Sequence, residues 1–462
     1  MLRIRAQRVG EGKIRSVEPN KFEAYIDEDA RYRYCYGMTY SSRIIDAQIK
    51  EYLDGLAAIA IVGAKGVGKT STAKRNANTV LELDVSEAAR AFASSRESMA
   101  SLKDTPVLID EWSRAPQSWD VVRRLVDDDR APGHFILTGS ASQTDANIHS
   151  GAGRIVQLKM RPLSIQERIG FQAKVRLSDL LDESLDVNLY ESCQATMPDY
   201  AEEICLSGFP GIHELSQRFA RVQLDGYIED IIQKEFPEQG LKVRKPHVLK
   251  AWLKAYAAAT ASTTSYKKIL VASTAGEDQK PASSTTLVYR DVLDMLYLTD
   301  RVDPWLPTDN HFTTLGKSPK HYLVDPGLAA RILGLDVDGL IKDAIEPLGP
   351  QRKTSIFGRL FESLAASSLK VYCQHNEADL FHLRTPMGDH EVDFIVIQGN
   401  TVIGIEVKLS HEVSQADVSQ LHWLQTKLAS HKKLIKVVIN TGAYAYRRED
   451  GVFVVPLGIL GA

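Results

Sequence analysis

The stretch GAKGVGKT, residues 63–70, constrains this chain more than any other. It matches GxxxxGK[ST] in full, follows the apolar run LAAIAIV and leads into the helix-like STAKRNAN, which is the context the pattern requires. Glycines let backbone N–H groups converge on phosphate oxygens without obstruction by Cβ, and the following helix N-terminus adds a favourable dipole. The expected phosphate cradle is Gly63, Ala64, Lys65, Gly66, Val67, Gly68, Lys69, Thr70 and Ser71. Lys69 would reach the β- and γ-phosphates of ATP, and Thr70 would ligate Mg2+.

Two later strand ends supply what such a cradle needs. PVLIDEW (106–112) is an apolar run ending in Asp110 and Glu111. At the carboxyl end of a parallel strand, Asp110 can hold the Mg2+ water shell beside Thr70, and Glu111 can orient and polarise the attacking water. HFILTGSA ends in Thr138 and Ser140, hydroxyls suited to sensing a γ-phosphate; a bland turn accounts for them equally well. From about 51 to 170, short apolar runs alternate with helix-like stretches, which predicts βαβ units on a parallel sheet.

Loop, acidic strand end and hydroxyl strand end, in this order and spacing, resemble the AAA+ class of P-loop ATPases. GRIVQLKMRPLSIQER (153–168) resembles one bacterial and archaeal group of them. The resemblance implies an arginine that completes the site, often from a neighbouring subunit, and with it a homo-oligomer. Arg154 is the candidate and Arg168 its rival; a structural ion pair is the other reading of Arg154.

From about 175 to 345 the pattern turns helical. SGFPGI (207–212) with DGYIEDIIQKEF after it, and KSPKHYLVDPGLAARILG (317–334), resemble the same ATPase group. SSTTLVYRDVLDMLYLTDRV (283–302) has the pattern of a winged-helix module with its recognition helix. Lys242, Arg244, Lys245, Lys250, Lys254, Lys267 and Lys268 could meet DNA phosphates, or form an ordinary solvated face. With a net charge of −3, nucleic-acid binding would have to rest on such local patches.

The last segment contains EVDFIVIQGNTVIGIEVKLS (391–410), in which charges interrupt strand-like runs. A two-residue turn at Gly399-Asn400 sets Gln398 against Thr401, and therefore Asp393 against Glu406 and Glu391 against Lys408. Val392, Phe394, Val396, Ile403, Ile405, Val407 and Leu409 then share one apolar face, and the charges gather at one end of the other. Two facing carboxylates repel unless neutralised, and a divalent cation such as Mg2+ on Asp393 and Glu406 would do it. Lys408 could orient a water, and Glu362 on the preceding helix could add a ligand or take a proton. A hydrated surface ladder with Glu391 on Lys408 is the alternative. The arrangement resembles the PD-(D/E)xK nuclease superfamily, with EVD in place of the PD dipeptide and Gln420 at a further polar position of some members. The resemblance assigns catalytic parts to Glu362, Asp393, Glu406 and Lys408.

The chain from about 36 to 462 resembles ATP-binding proteins of bacteria and archaea that pair these domains. The expected fold is α/β: a lead-in at 1–50, a P-loop parallel-sheet ATPase domain at 51–175, a helical and winged-helix domain at 176–345 and a restriction-endonuclease-like α/β domain at 346–462. Cys35, Cys193, Cys205 and Cys373 are far apart and lack CxxC spacing, which fits reduced thiols in the cytoplasm. The longest apolar run is too short to span a bilayer, so no membrane partner is expected. The expected activity is ATP hydrolysis controlling a nuclease-like domain on DNA. The alternative is an ATP-switched binding module with an inactive nuclease-like fold.

Overall fold

Five strands set the first layer: β1 (Ala58–Val62), β2 (Thr79–Glu82), β3 (Val107–Asp110), β4 (Phe135–Gly139) and β5 (Ile155–Lys159). All pair parallel, in the order β2-β3-β4-β1-β5. In this computed structural model the described residues are 40–139, 151–168, 170–182, 190–241, 243, 245–274, 283–307, 317–345, 355–385, 387–428 and 431–462. Every residue of β1 is buried, because the sheet is covered on both faces. Ile59 and Ile61 face one apolar core, and Ala58, Ala60 and Val62 face the other. Parallel pairing brings the carboxyl ends of β1, β3 and β4 to one edge, where ligands of such sheets bind. Gly63, leaving β1 at φ 154°, has no room for a side chain: a Cβ there would lie 2.2 Å from the Met160 carbonyl oxygen.

Helices fill the middle of the chain, among them Met197–Leu206, Gln217–Asp230, Pro246–Ala258, Tyr266–Ser273 and Ser283–Met295. After Asp230 the helix widens into a π turn, Ile231–Glu235, just ahead of Pro237, which has no N–H for the ordinary bond to Gln233. Isolated bridges join Ser262 to His321, Thr299 to Leu323 and Val302 to Lys320, all antiparallel. Asp325 locks together the two motif segments of this region. Its Oδ1 accepts from Ser207 Oγ at 2.7 Å and from the Leu328 N–H at 3.1 Å, and its Oδ2 accepts from the Gly208 N–H at 2.7 Å. Helix Pro326–Leu333 thus presses on helix Met197–Leu206, and a Cβ on Gly327 would lie 2.6 Å from the Ile204 carbonyl oxygen. Gly327→Ala is therefore expected to destabilise by about 1–3 kcal/mol through overpacking, read as a lower midpoint in thermal denaturation.

The remaining strands are β6 (Val175–Arg176), β7 (Tyr190–Ser192), β8 (Asp303–Pro304), β9 (Asp379–Arg384), β10 (Glu391–Gln398), β11 (Thr401–Val407), β12 (Lys433–Asn440), β13 (Tyr444–Arg447), β14 (Phe453–Pro456) and β15 (Leu460–Gly461). Eight of them form one mixed sheet in the order β7-β13-β14-β12-β11-β10-β9-β8. Both outer strands, β7 and β8, come from the region expected to form the middle domain, and β15 pairs with β6. The expected segments 176–345 and 346–462 therefore share a sheet rather than folding side by side.

Helix Ile356–His375 is buried or half-buried nearly all round and packs one face of this sheet, with Phe357, Leu360, Phe361 and Leu364 fully buried. Helix Gln415–Lys427 covers the other through Val418, Leu421 and Leu424. The β10–β11 register is the one the turn composition implies, from Gln398↔Thr401 to Phe394↔Ile405. Asp300 ties the two halves of the chain: Lys159 and Arg161 of the first layer and Lys370 of helix Ile356–His375 all pair with it, at 2.9, 2.7 and 3.0 Å. Burial alone would raise the Asp300 pKa, but these cations outweigh it and hold the group well below the ordinary carboxylate range. Among the described residues no helix is long and apolar enough to cross a membrane.

Candidate functional site

At the carboxyl edge of the first sheet the predicted residues meet. Asp110 closes β3, buried to 4% exposure, and its Oδ1 accepts from Thr70 Oγ1 at 2.8 Å and from Thr138 Oγ1 at 2.6 Å. Thr138 Oγ1 in turn accepts from the Glu111 N–H at 3.1 Å. Glu111 sits at φ 53°, a left-handed conformation that turns the chain sharply out of β3. Lys69 is buried and donates to the Gly63 and Ala64 carbonyls, both at 2.9 Å. Burial pulls its pKa down to about 8, against the opposing pull of Glu111 and Asp110. Ser71 is exposed on the helix that starts at Lys69, and Ser140 lies outside the described residues.

The loop is gripped from two sides by residues for which the sequence suggested no role. Arg43, in the segment taken as a lead-in, is buried; it donates to the Val67 carbonyl at 2.9 Å and the Arg161 carbonyl at 2.8 Å, and pairs with Glu167 at 2.9 Å. From the middle region, Glu235 pairs with Lys65 at 2.8 Å and Tyr227 Oη donates to the Lys65 carbonyl at 2.9 Å. The π turn that ends in Glu235 therefore stands directly against the phosphate loop.

The arginines lie elsewhere. Arg154 precedes β5 at the amino edge of the sheet, away from the loop, and pairs with Asp127 of the same chain at 2.9 Å. Of its two readings the ion pair is the one formed; completing this chain's own site would need it at the opposite edge. Arg168 is 2% exposed and consumed by the Leu163 and Glu203 carbonyls and the Glu203 carboxylate, which makes it a structural arginine.

In the eight-stranded sheet, Glu362, Asp393, Glu406 and Lys408 also come together, but around an unexpected partner. Lys320 places Nζ 3.0 Å from Glu362, 2.9 Å from Asp393 and 3.2 Å from Glu391, and is 1% exposed. Asp393, expected to share a divalent cation with Glu406, thus has its charge offset by an ammonium from the middle region. Tyr322 Oη donates to Glu362 at 2.6 Å. Beyond Phe394 the β10–β11 ladder stops, and the Val407 N–H donates to Asp393 Oδ2 at 3.0 Å. Lys408, just past the end of β11, pairs with Glu406 at 2.6 Å, not with Glu391, which takes Arg384 at 3.2 Å. Gln420 Oε1 accepts from His390 Nδ1 at 3.0 Å, and His390 stacks on Trp423.

Burial, then Asp393 beside it, pushes the Glu406 pKa up to about 8, and burial raises Glu362 to about 7. Burial would raise Asp393 too, but Lys320 and Lys408 hold it below its ordinary value. A carboxyl whose folded pKa is raised favours folding below its unfolded pKa of about 4.5, and that contribution is lost as pH climbs through the folded value. The contribution of these two carboxyls to thermal stability is accordingly expected to decline between pH 5 and about 8. Glu406→Gln should flatten the upper part of that decline in melting curves taken across the range.

Comparison with known proteins follows the same division. A family model described as an AAA domain matches residues 57–169. The first sheet is that of an AAA-type P-loop ATPase domain, built to bind ATP. Two models described as domains of unknown function (DUF8612 and DUF4143) match 197–339 and 357–460. Uncharacterized proteins of Mycobacterium bovis and Mycobacterium tuberculosis are 23% identical over 356 residues, covering 76% of this chain and 68% of theirs. The Walker-type ATPase PABY2304 of Pyrococcus abyssi is 14% identical and covers 62% of this chain and 94% of its own, at a TM-score of 0.36, too distant to bear on the fold. Within the residues matched by the AAA model, the Thr70–Asp110–Thr138 cluster and Lys69 share the carboxyl edge of the sheet.

Proposed function

We propose that the chain is an Mg2+-dependent ATPase whose nucleotide state is passed through the middle helices to the C-terminal sheet. The observation that carries it is the meeting of Thr70 and Thr138 on Asp110 beside Lys69. A hydroxyl and a carboxylate 2.8 Å apart are hard-oxygen donors that suit Mg2+; Thr70 and Asp110 would hold it, and the ion would offset phosphate charge. The loop N–H groups and Lys69 bind the β- and γ-phosphates. Glu111 orients a water whose oxygen bonds to the γ-phosphorus as the bond to the bridging oxygen breaks, giving ADP and inorganic phosphate. Glu235 and Tyr227, fixed on the loop through Lys65, carry a shift of the loop into the middle region.

For the rest of the chain the reading supported best is a binding module rather than a nuclease, because Lys320 sits among the carboxylates. A DNA partner keeps one supporting observation. Helices Pro246–Ala258, Tyr266–Ser273 and Ser283–Met295, followed by bridges at 299–302 and 320–323, support the winged-helix reading. Against it, the exposed positions Leu287, Val288 and Asp291 of the last helix are poor phosphate ligands, and Lys250 is paired with Glu229. Lys245, Lys254, Lys267 and Lys268 are exposed, while Lys242 and Arg244 lie outside the described residues.

Glu111→Gln tests the hydrolytic reading. ATP binding should persist while phosphate release in the presence of Mg2+ drops by about a hundredfold. Unchanged turnover would sink the assignment of Glu111 as the water-orienting group.

A further inference from the structure

The nuclease resemblance carries the expectation of a divalent cation between Asp393 and Glu406, and the surroundings do not fit one. The three N–H donors of an ammonium are matched by three carboxylates, Glu362, Glu391 and Asp393, at 3.0, 3.2 and 2.9 Å from Lys320 Nζ. A divalent ion ligated by the same oxygens at about 2.0–2.6 Å would overlap that nitrogen and repel its charge.

Lys320 is not a loose side chain that wandered in. Its backbone exchanges two hydrogen bonds with Val302, at 2.9 and 3.1 Å, and it shares a strand face with Tyr322, which donates to Glu362. From Val302 the chain runs on into β8, which pairs with β9 of the same sheet. The lysine is thus held by the residue that leads into the sheet's own edge strand. Carboxylate capacity is nonetheless left over: Glu406 is 5% exposed, and its Oε1 has no hydrogen-bond partner among the described residues.

We propose that Lys320 is the resident cation of this cluster: the folded chain takes no divalent metal there, and removing the ammonium turns Glu362, Asp393 and Glu406 into a hard-oxygen cation site. The middle region thereby holds the C-terminal sheet in a metal-free state. This deepens the binding-module reading of the C-terminal half and is independent of ATP hydrolysis.

The test is titration of the nucleotide-free full chain with MnCl2 by calorimetry, using wild type, Asp393→Asn, Lys320→Met and Lys320→Met/Asp393→Asn. Wild type and Asp393→Asn should give the same isotherm, since the cluster contributes no Mn2+ site to either. Lys320→Met should gain one saturable site, which the double variant loses, and Mn2+ should raise its melting temperature more than that of wild type. Wild-type binding that disappears in Asp393→Asn would overturn the proposal. So would a folded Lys320→Met protein that gains no site. If Lys320→Met does not fold, the comparison of wild type with Asp393→Asn still decides. The isotherms do not depend on DNA cleavage, so failure of the binding-module reading would show separately, as cutting of DNA by the wild-type chain.

Discussion

Replacing Lys69 with alanine is expected to lower ATP hydrolysis by at least on the order of 10³-fold and to weaken ATP binding measurably, because one group serves both steps. Lys69 is the cation at the start of the helix after β1, with its ammonium buried and turned onto the Gly63 and Ala64 carbonyls. Those contacts already place Nζ inside the curve of the loop, so little reorganisation is needed to bring it onto phosphate oxygens. Burial costs the ammonium much of its hydration, which is what depresses its pKa, and a phosphate anion would restore a full counter-charge. The alanine variant should keep its melting transition, since the Asp110 cluster and Arg43 hold the surrounding loop without it. A folded Lys69→Ala protein that hydrolyses ATP at the wild-type rate, measured by phosphate release, would remove the P-loop from the mechanism.

Lys320→Met should be the most destabilising single change outside the nucleotide site, by about 3–5 kcal/mol, the cost of breaking a buried ion cluster from one side. Methionine keeps most of the apolar stem, so the loss isolates the charge. What remains is Glu362, Glu391 and Asp393 facing one another, with Arg384, on Glu391, and Lys408, on Glu406, as the cations paired nearby among the described residues. Adding Asp393→Asn should recover part of the loss, because the double variant leaves one fewer uncompensated charge. Urea denaturation at fixed pH measures both numbers. Equal stability of Lys320→Met and wild type would mean that the ion cluster does not hold the bridged segments 299–302 and 320–323 to the sheet.

How much of this was legible in the sequence depended on how local the signal was. The phosphate loop, the acidic end of β3 and the β10–β11 register are each written within a few consecutive residues, and turn chemistry alone placed Asp393 beside Glu406. Lys320 could not be placed that way, because its three carboxylates come from two separate elements, a helix and a strand, both distant from it in sequence. A faint signal existed: Lys320, Tyr322 and Val324 alternate onto one buried face, and a lysine in such a row needs anions opposite it. Arg43 was hidden by the polar look of the first fifty residues, although helix Ile44–Gly55 begins inside them. For Arg154 the fold separates two cases the motif leaves joined: β5 runs parallel to β1 and sets its leading residue at the edge away from this chain's own loop, so a part in ATP hydrolysis would have to be played in a neighbouring subunit's site.

The two outer strands of the C-terminal sheet also set an order of assembly. β7 leaves the ribosome early, and its partner β13 follows roughly 250 residues later, which at ~5–20 residues per second is a wait of about 10–50 s. For that interval Tyr190 to Ser192 has no ladder to join, and the loop that must close afterwards is among the longest in the chain. The sheet therefore closes last, and a chain cut short anywhere before Tyr444 would leave β7 without its strand, open to pairing with another molecule.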